Sequence, residues 1–345
     1  MRLFISFCLL LVTSSYTLAD THVGAMLYKK NCIACHGASG KGGVGVPLAL
    51  ESFQAQASDR FLKNTIRFGR IGRVMPAFKS LSEDEVNALV AYIRTFAKAT
   101  PPVYSQQPIR ANAKHGATLF SQNCAACHGD HGQGGKGTGV TFSRPRDLPI
   151  IAPALNNEGF LKSASDAMIQ ATLQQGRKGT PMVSFLENGM SEQDINDVVA
   201  YIRTFEKDLP TRTNVDDEPY YLEVESSLSF EKTVASLKQA VIGENYRLIR
   251  TQKFDYGLVN VEQEDPKKVV VYFCNFKLLN EALTVDPRVG LFLPCRLTVV
   301  EHKGKVKIMA INPLHLSHFF NNDELDNLCK GMRETYEVIM EGATL

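Results

Sequence analysis

The chain has 345 residues, 44% hydrophobic and 21% charged. That balance excludes a disordered polymer and, at roughly 100–200 residues per domain, calls for two or three folded units. Lys and Arg number 38 against 36 Asp and Glu, so no global basic field points to nucleic acid. The first element is apolar: Leu3 to Val12 follow Arg2, and small residues lead to Thr17-Leu18-Ala19 before Asp20. The run is too short to span a bilayer and reads as a cleaved leader over residues 1–19. The mature chain is therefore expected in the periplasm, meeting a membrane only through a partner. Cys8 leaves with the leader.

In an oxidising compartment the remaining cysteines should pair, bind something or be buried. Four fall in two identical runs, Cys32-Ile33-Ala34-Cys35-His36 and Cys124-Ala125-Ala126-Cys127-His128. Cys-x-x-Cys-His is the attachment pattern of c-type haem. Two thiols about a helical turn apart add across the two vinyl groups, and the adjacent His then lies under the iron. The surroundings repeat as well. Gly24 to Tyr28 matches Gly116 to Phe120, each site is followed by a Gly-rich loop, and Leu81–Phe96 is echoed by Met190–Phe205. Those last segments open on Ser82 and Ser191 as N-caps and space apolar residues as helices do. Each unit is thus a helix carrying the cysteines, a loop and a closing helix.

The sixth iron ligand should lie before the closing helix. Met75 and Met182 each stand next to a proline and three residues ahead of a Phe, and this repetition favours them over the usual role of Met as core filler. Met26, Met168 and Met190 fit helix packing better. His22, His115 and His131 are rival ligands.

On these motifs, residues 20–98 and 111–207 each resemble a class I cytochrome c domain. The resemblance implies an all-helical pocket with an exposed haem edge, and it implies that the carbonyls of Pro47 and Pro153 orient His36 and His128. The second unit carries an insertion, much of it Phe142–Leu148, read as a loop over that edge. Residues 99–110 and 208–219 read as extended linkers, the first holding the units close without a fixed pose.

Residues 220–345 mix periods. Ser229–Gly243 and Asp323–Glu341 read as helices and Lys267–Phe276 as a buried strand, while Leu291–Val300 and Lys305–Ile311 read as a hairpin around His302-Lys303-Gly304. This is an α+β domain with an antiparallel sheet. Through Phe273-Cys274-Asn275, Asp286–Gly290 and Leu293-Pro294-Cys295-Arg296 it resembles the domain of unknown function 302 family, which brings no agreed activity. Cys274 and Cys295 read as a disulfide, two buried thiols or a redox pair, Cys329 as core, and His315 with His318 as a solvated loop.

Basic residues outnumber acidic ones 11 to 6 over residues 20–98, against 9 of each over 111–207. Arg67, Arg70 and Arg73, just before Met75, read as a docking surface for an acidic partner or as a solvated face. The expected function is a dihaem electron carrier between redox proteins, with two covalent haem c groups. His/Met ligation raises the potential and leaves no open coordination position for a substrate. The alternative is an oxidoreductase whose C-terminal domain binds a small, sulfur-containing substrate while the haems remove electrons.

Overall fold

The structure, a computed structural model, describes residues 20–137 and 151–345. The expected leader and the insertion Phe142–Leu148 lie outside the described residues. Among these, the chain forms two compact units, one up to Thr211 and one from Arg212 to Leu345.

The first unit holds two helical modules. One comprises α1 (20–31), α2 (Ile33–His36), α3 (Glu51–Gln56), α4 (Asp59–Phe68) and α5 (Glu83–Arg94). The other comprises α6 (Ala113–Asn123), α7 (Ala125–His128), α8 (Glu158–Ser163), α9 (Asp166–Gln175) and α10 (Glu192–Thr204). Both closing helices start with a full capping box, Ser82 with Glu85 and Ser191 with Asp194, and acidic first turns suit the helix dipole. Helices α4 and α9 were not read from the sequence. They too have Ser N-caps, Ser58 and Ser165, and end at Gly69 and Gly176 with positive φ.

In each module the closing helix crosses the leading helix at a glycine. A Cβ on Gly24 would overlap the Ala88 carbonyl, and one on Gly116 would overlap that of Asp197. A ring cluster fills each crossing: Tyr28, Tyr92 and Phe96 in the first, with centroids 5.1–5.4 Å apart, and Phe120, Tyr201 and Phe205 in the second. An arginine then ties the closing helix to the middle of its module. Arg94 donates to Asp59 at 2.8 Å and to the Gln54 and Ala57 carbonyls, and Arg203 does the same with Asp166, Leu161 and Ala164.

One contact is not repeated. Buried Asp197 accepts from the Asn112 backbone N–H at 2.8 Å and from Gln193, and pairs with His115 Nδ1 at 2.8 Å. Ala88 stands at the corresponding place in the first module. Burial works against the Asp197 carboxylate, but the hydrogen bonds from His115, Asn112 and Gln193 prevail and hold its pKa below the usual value. A depressed acid stabilises the fold above its unfolded pKa and loses that contribution as pH falls through the folded one. Asp197→Asn is therefore expected to lower stability at pH 7 by about 1–3 kcal/mol and to have little effect once Asp197 is protonated in both states. Urea midpoints at the two pH values, followed on the second module, check this; an equal loss at both would remove the ionic component.

The modules interlock reciprocally. Helix α4 packs on α8 and α3 on α9. Gln56 donates to the Gly176 carbonyl at 2.5 Å, Ser52 to that of Lys178 at 2.6 Å, and Asn157 to that of Ile71 at 2.8 Å. The Arg70 guanidinium lies 5.8 Å from the Phe160 ring, and Arg177 lies 5.3 Å from Phe53. These are matching positions of the repeat. The segment 99–110 is also fixed rather than loosely held: Tyr104 and Ile109 pack on the unit's core, and the Ile109 N–H donates to Asp166 at 2.6 Å.

The second unit is a five-stranded antiparallel sheet of order β1 (Tyr221–Ser226), β5 (Lys305–Ile311), β4 (Cys295–His302), β3 (Lys268–Cys274), β2 (Arg247–Lys253). Lys303 and Gly304, both with positive φ, turn the β4–β5 hairpin. Helices α11 (Phe230–Gly243) and α14 (Asp326–Gly342) close one face around Leu237, Phe273, Leu297, Ile308 and Ile339, all fully buried. The expected strand over 267–276 stops at Cys274 because Asn275 accepts from the Lys277 and Leu278 N–H groups and starts α12 (Phe276–Val285). Helix α13 (Leu314–Phe319) holds His315 and His318, which the sequence placed in a loop. Residues 212–219 are bound into this unit by Arg212–Asp323 and Glu218–Arg333 ion pairs.

Candidate functional site

The short helices α2 and α7 carry the two Cys-x-x-Cys-His runs and stop at Gly37 and Gly129, both with positive φ. The loop beyond then curls back under the imidazole. His36 Nδ1 lies 2.8 Å from the Val46 carbonyl and His128 Nδ1 lies 2.9 Å from that of Pro153. Donation from Nδ1 fixes the tautomer and leaves Nε2 as the lone-pair nitrogen a metal needs. Burial lowers the pKa of both histidines, partly opposed by these hydrogen bonds. Both shifts favour the neutral ring.

Pro153 sits where the resemblance implied, but Pro47 does not. In the first module Gly43 N–H bonds the Gly45 carbonyl and Gly45 N–H bonds that of Cys35, a tighter turn that brings up the carbonyl of Val46. In the second, Gly135 N–H takes the Ala152 carbonyl and leaves Pro153 to face the ring. Gly45 is required here, since a Cβ would stand 2.7 Å from the His36 ring.

The methionine loops are hung identically. Arg70 N–H donates to the Met75 carbonyl and Phe78 N–H to that of Ile66; Arg177 N–H donates to Met182 and Phe185 N–H to Leu173. Gly69 and Gly176 allow the close approach, because a Cβ on either would run into the loop backbone. Among the other methionines, Met168 is buried and Met190 packs on the core, whereas Met26 is 56% exposed and packs poorly. His22 and His131 are exposed and His115 is taken up by Asp197.

These groups fit a covalently attached haem in each module: two thiols one turn apart, a neutral imidazole with Nε2 available, and a thioether on a pinned loop. Burial and the neighbouring thiol push Cys32 and Cys124 up to about 11. Among the described residues no cluster of three or more His, Cys, Asp or Glu forms a separate metal site.

Arg67, Arg70 and Arg73 do not make the exposed surface expected of them. Arg67 pairs with Glu83 at 2.6 Å. Arg70 packs between Phe61 and Phe160 and donates to Thr65 and Gly69, and burial pulls it down to about 10. Arg73 reaches the Gly135 carbonyl at 2.6 Å. The turn after α4 directs two of the three arginines across to the second module, Arg70 to Phe160 on α8 and Arg73 to Gly135 in the loop after α7.

Cys274, Cys295 and Cys329 are buried free thiols. Cys295 is in register with Phe273, so alternation sends the Cys274 side chain to the other face of the sheet and no disulfide forms. Burial raises all three, Cys329 to about 12, so none is a ready thiolate. His315 stacks on Tyr220 at 4.7 Å and bonds the Glu218 carbonyl, and is not solvated.

Residues 19–93 match the family model of the cbb3-type cytochrome c oxidase subunit III, residues 113–206 that of cytochrome c, and residues 222–343 that of the domain of unknown function DUF302. The chain therefore carries two cytochrome c domains, of the kind that binds haem c covalently, followed by a DUF302 domain. Among curated proteins it is 29% identical over 170 residues to the cbb3-type oxidase subunit CcoP of Azospirillum brasilense, covering 45% of this chain and 52% of that one. It is 26% identical over 194 residues to CcoP of Cereibacter sphaeroides, covering 53% and 60%. The chain thus spans little more than half the length of these relatives. A solved DUF302 protein from Bacillus stearothermophilus is 20% identical and aligns over 36% of this chain and 98% of its own, with a TM-score of 0.33. No helix among the described residues is long and apolar enough to cross a membrane.

Proposed function

We propose that this protein is a periplasmic dihaem electron carrier in which Cys32, Cys35 and His36, and Cys124, Cys127 and His128, attach the two haems while Met75 and Met182 complete the iron coordination. A haem held in this way supplies a one-electron ferrous–ferric couple. The observation that carries the reading is the recurrence of one arrangement twice: an imidazole locked through Nδ1 and a methionine loop pinned by the same two backbone bonds. The chain's own part is to hold each imidazole neutral and oriented and to keep the thioether loop in place. Ligand type and a dry surround set the potential. Electrons pass to and from partner proteins, and the reciprocal packing of the modules keeps the two centres in a fixed relation.

The test is ligand replacement. Met75→Ala and Met182→Ala should each remove about half of the weak near-infrared sulfur-to-iron band and lower the potential of one haem in a redox titration. Unchanged spectra in both variants would place the sixth ligands elsewhere. Export is checked separately by fractionating host cells; retention in the cytoplasm would overturn the periplasmic assignment.

A further inference from the structure

The C-terminal unit contains a cavity of ≈ 530 Å³, within the size range of small-molecule sites, about 300–1,000 Å³. It lies at the end of the sheet, and side-chain alternation explains its floor. Cys295, Leu297 and Val299 point into the core under α11 and α14, so Arg296 and Thr298 point the other way, with Met309 and Ile311 beside them on β5. Helix α12 forms a wall. Its sequence, Phe-Lys-Leu-Leu-Asn-Glu-Ala-Leu-Thr-Val, is strongly amphipathic, yet none of its ten residues is buried. Leu278, Leu279 and Ala282 line the cavity, Leu278 also packing at the margin of the sheet core. A helix of this composition ordinarily gains its stability by burying that stripe.

The polar groups narrow the class of ligand. Cys274 and Cys329 reach the cavity, which also borders the core at the end of β4, where Cys295 and Tyr336 lie; the thiols are neutral, and the Tyr336 hydroxyl donates to Cys295. They add soft, apolar surface rather than charge. The one charged side chain in the lining is Arg296, which is exposed and forms no ion pair or side-chain hydrogen bond among the described residues. Guanidinium suits a carboxylate bidentately.

We propose that this cavity binds an amphiphilic organic monoanion, its apolar body against α12 and its carboxylate on Arg296. The site is independent of the haem reading.

Octanoate and 1-octanol, titrated by calorimetry into the full-length haem-loaded protein, test it. Octanoate should bind saturably at one site. Arg296→Gln should weaken octanoate by about tenfold or more while leaving 1-octanol unchanged. Leu279→Trp, and independently Ala282→Phe, should abolish binding of both, with unaltered circular dichroism and haem spectra reporting an intact fold. No saturable binding of octanoate, or binding indifferent to both filling variants, would overturn the site. An equal affinity of wild type and Arg296→Gln for octanoate would overturn the anionic class.

Discussion

A Cys32→Ala, Cys35→Ala double variant should keep about half of the haem stain of the wild type on a denaturing gel, and the Cys124→Ala, Cys127→Ala pair should do the same. Changing all four should leave none. Covalent attachment is what survives denaturation, and each module carries its own pair of thiols on α2 or α7. Haem that extracts from the wild type into acidified organic solvent would end the covalent reading. A stain that vanishes entirely on loss of Cys32 and Cys35 would show that the second module depends on the first for maturation.

The largest effect on stability is expected at the helix crossings. Gly116→Val places a branched side chain against the Asp197 carbonyl, where even a Cβ overlaps. The obstacle is backbone on a packed helix, which cannot rotate aside as a flexible side chain can. Overpacking in a core costs about 1–3 kcal/mol and more where backbone must move, and a domain has only about 5–15 kcal/mol in total. The variant should therefore lose ordered packing of α6 on α10 and be cleaved by protease within the second module, with the first left intact. Gly243→Ala is the control, because nothing stands within 4 Å of its Cβ. Matching protease resistance for Gly116→Val and wild type would mean the crossing is looser than its geometry indicates.

How much of this was legible in the sequence depends on whether the chemistry was local. The Cys-x-x-Cys-His runs, the Ser-capped closing helices and the methionine before each of them are short-range patterns that repeat, and repetition turned each from a coincidence into a reading. Helices α3, α8 and α9 are short and their apolar residues are interrupted by polar ones, so the period hardly shows; α4 does carry a helical period, with Phe61, Leu62 and Ile66 on one face, and it was overlooked. Their caps, Ser58-Asp59 and Ser165-Asp166, were the available cue. The arginines were misread for a different reason. Arg67, Arg70 and Arg73 recur every three residues as a solvated stripe would, and nothing local says that another module will cover two of them. Val46 in place of Pro47 is likewise a matter of one residue of loop slack. In the C-terminal unit the central strands were visible as β-branched runs. Of the edge strands, β1 does carry the alternation of a half-buried strand in Leu222-Glu223-Val224-Glu225 and was overlooked, whereas Arg247-Leu248-Ile249-Arg250-Thr251-Gln252-Lys253 of β2 shows no such period.

The reciprocal packing of the two modules has an evolutionary reading. Matching positions of the repeat, Arg70 with Phe160 and Arg177 with Phe53, exchange places across the interface, which is the signature of a self-complementary surface in a twofold homodimer. A single module bearing one such arginine and one such phenylalanine carries both halves of this contact. A tether such as residues 99–110 raises the effective concentration of two such modules without requiring a new surface. The divergence that followed could be lopsided: Ser52 and Gly159, at matching positions, now do different things, one donating a hydrogen bond and the other admitting the Gly69 carbonyl. The linker made a pair of equal partners into two halves free to specialise.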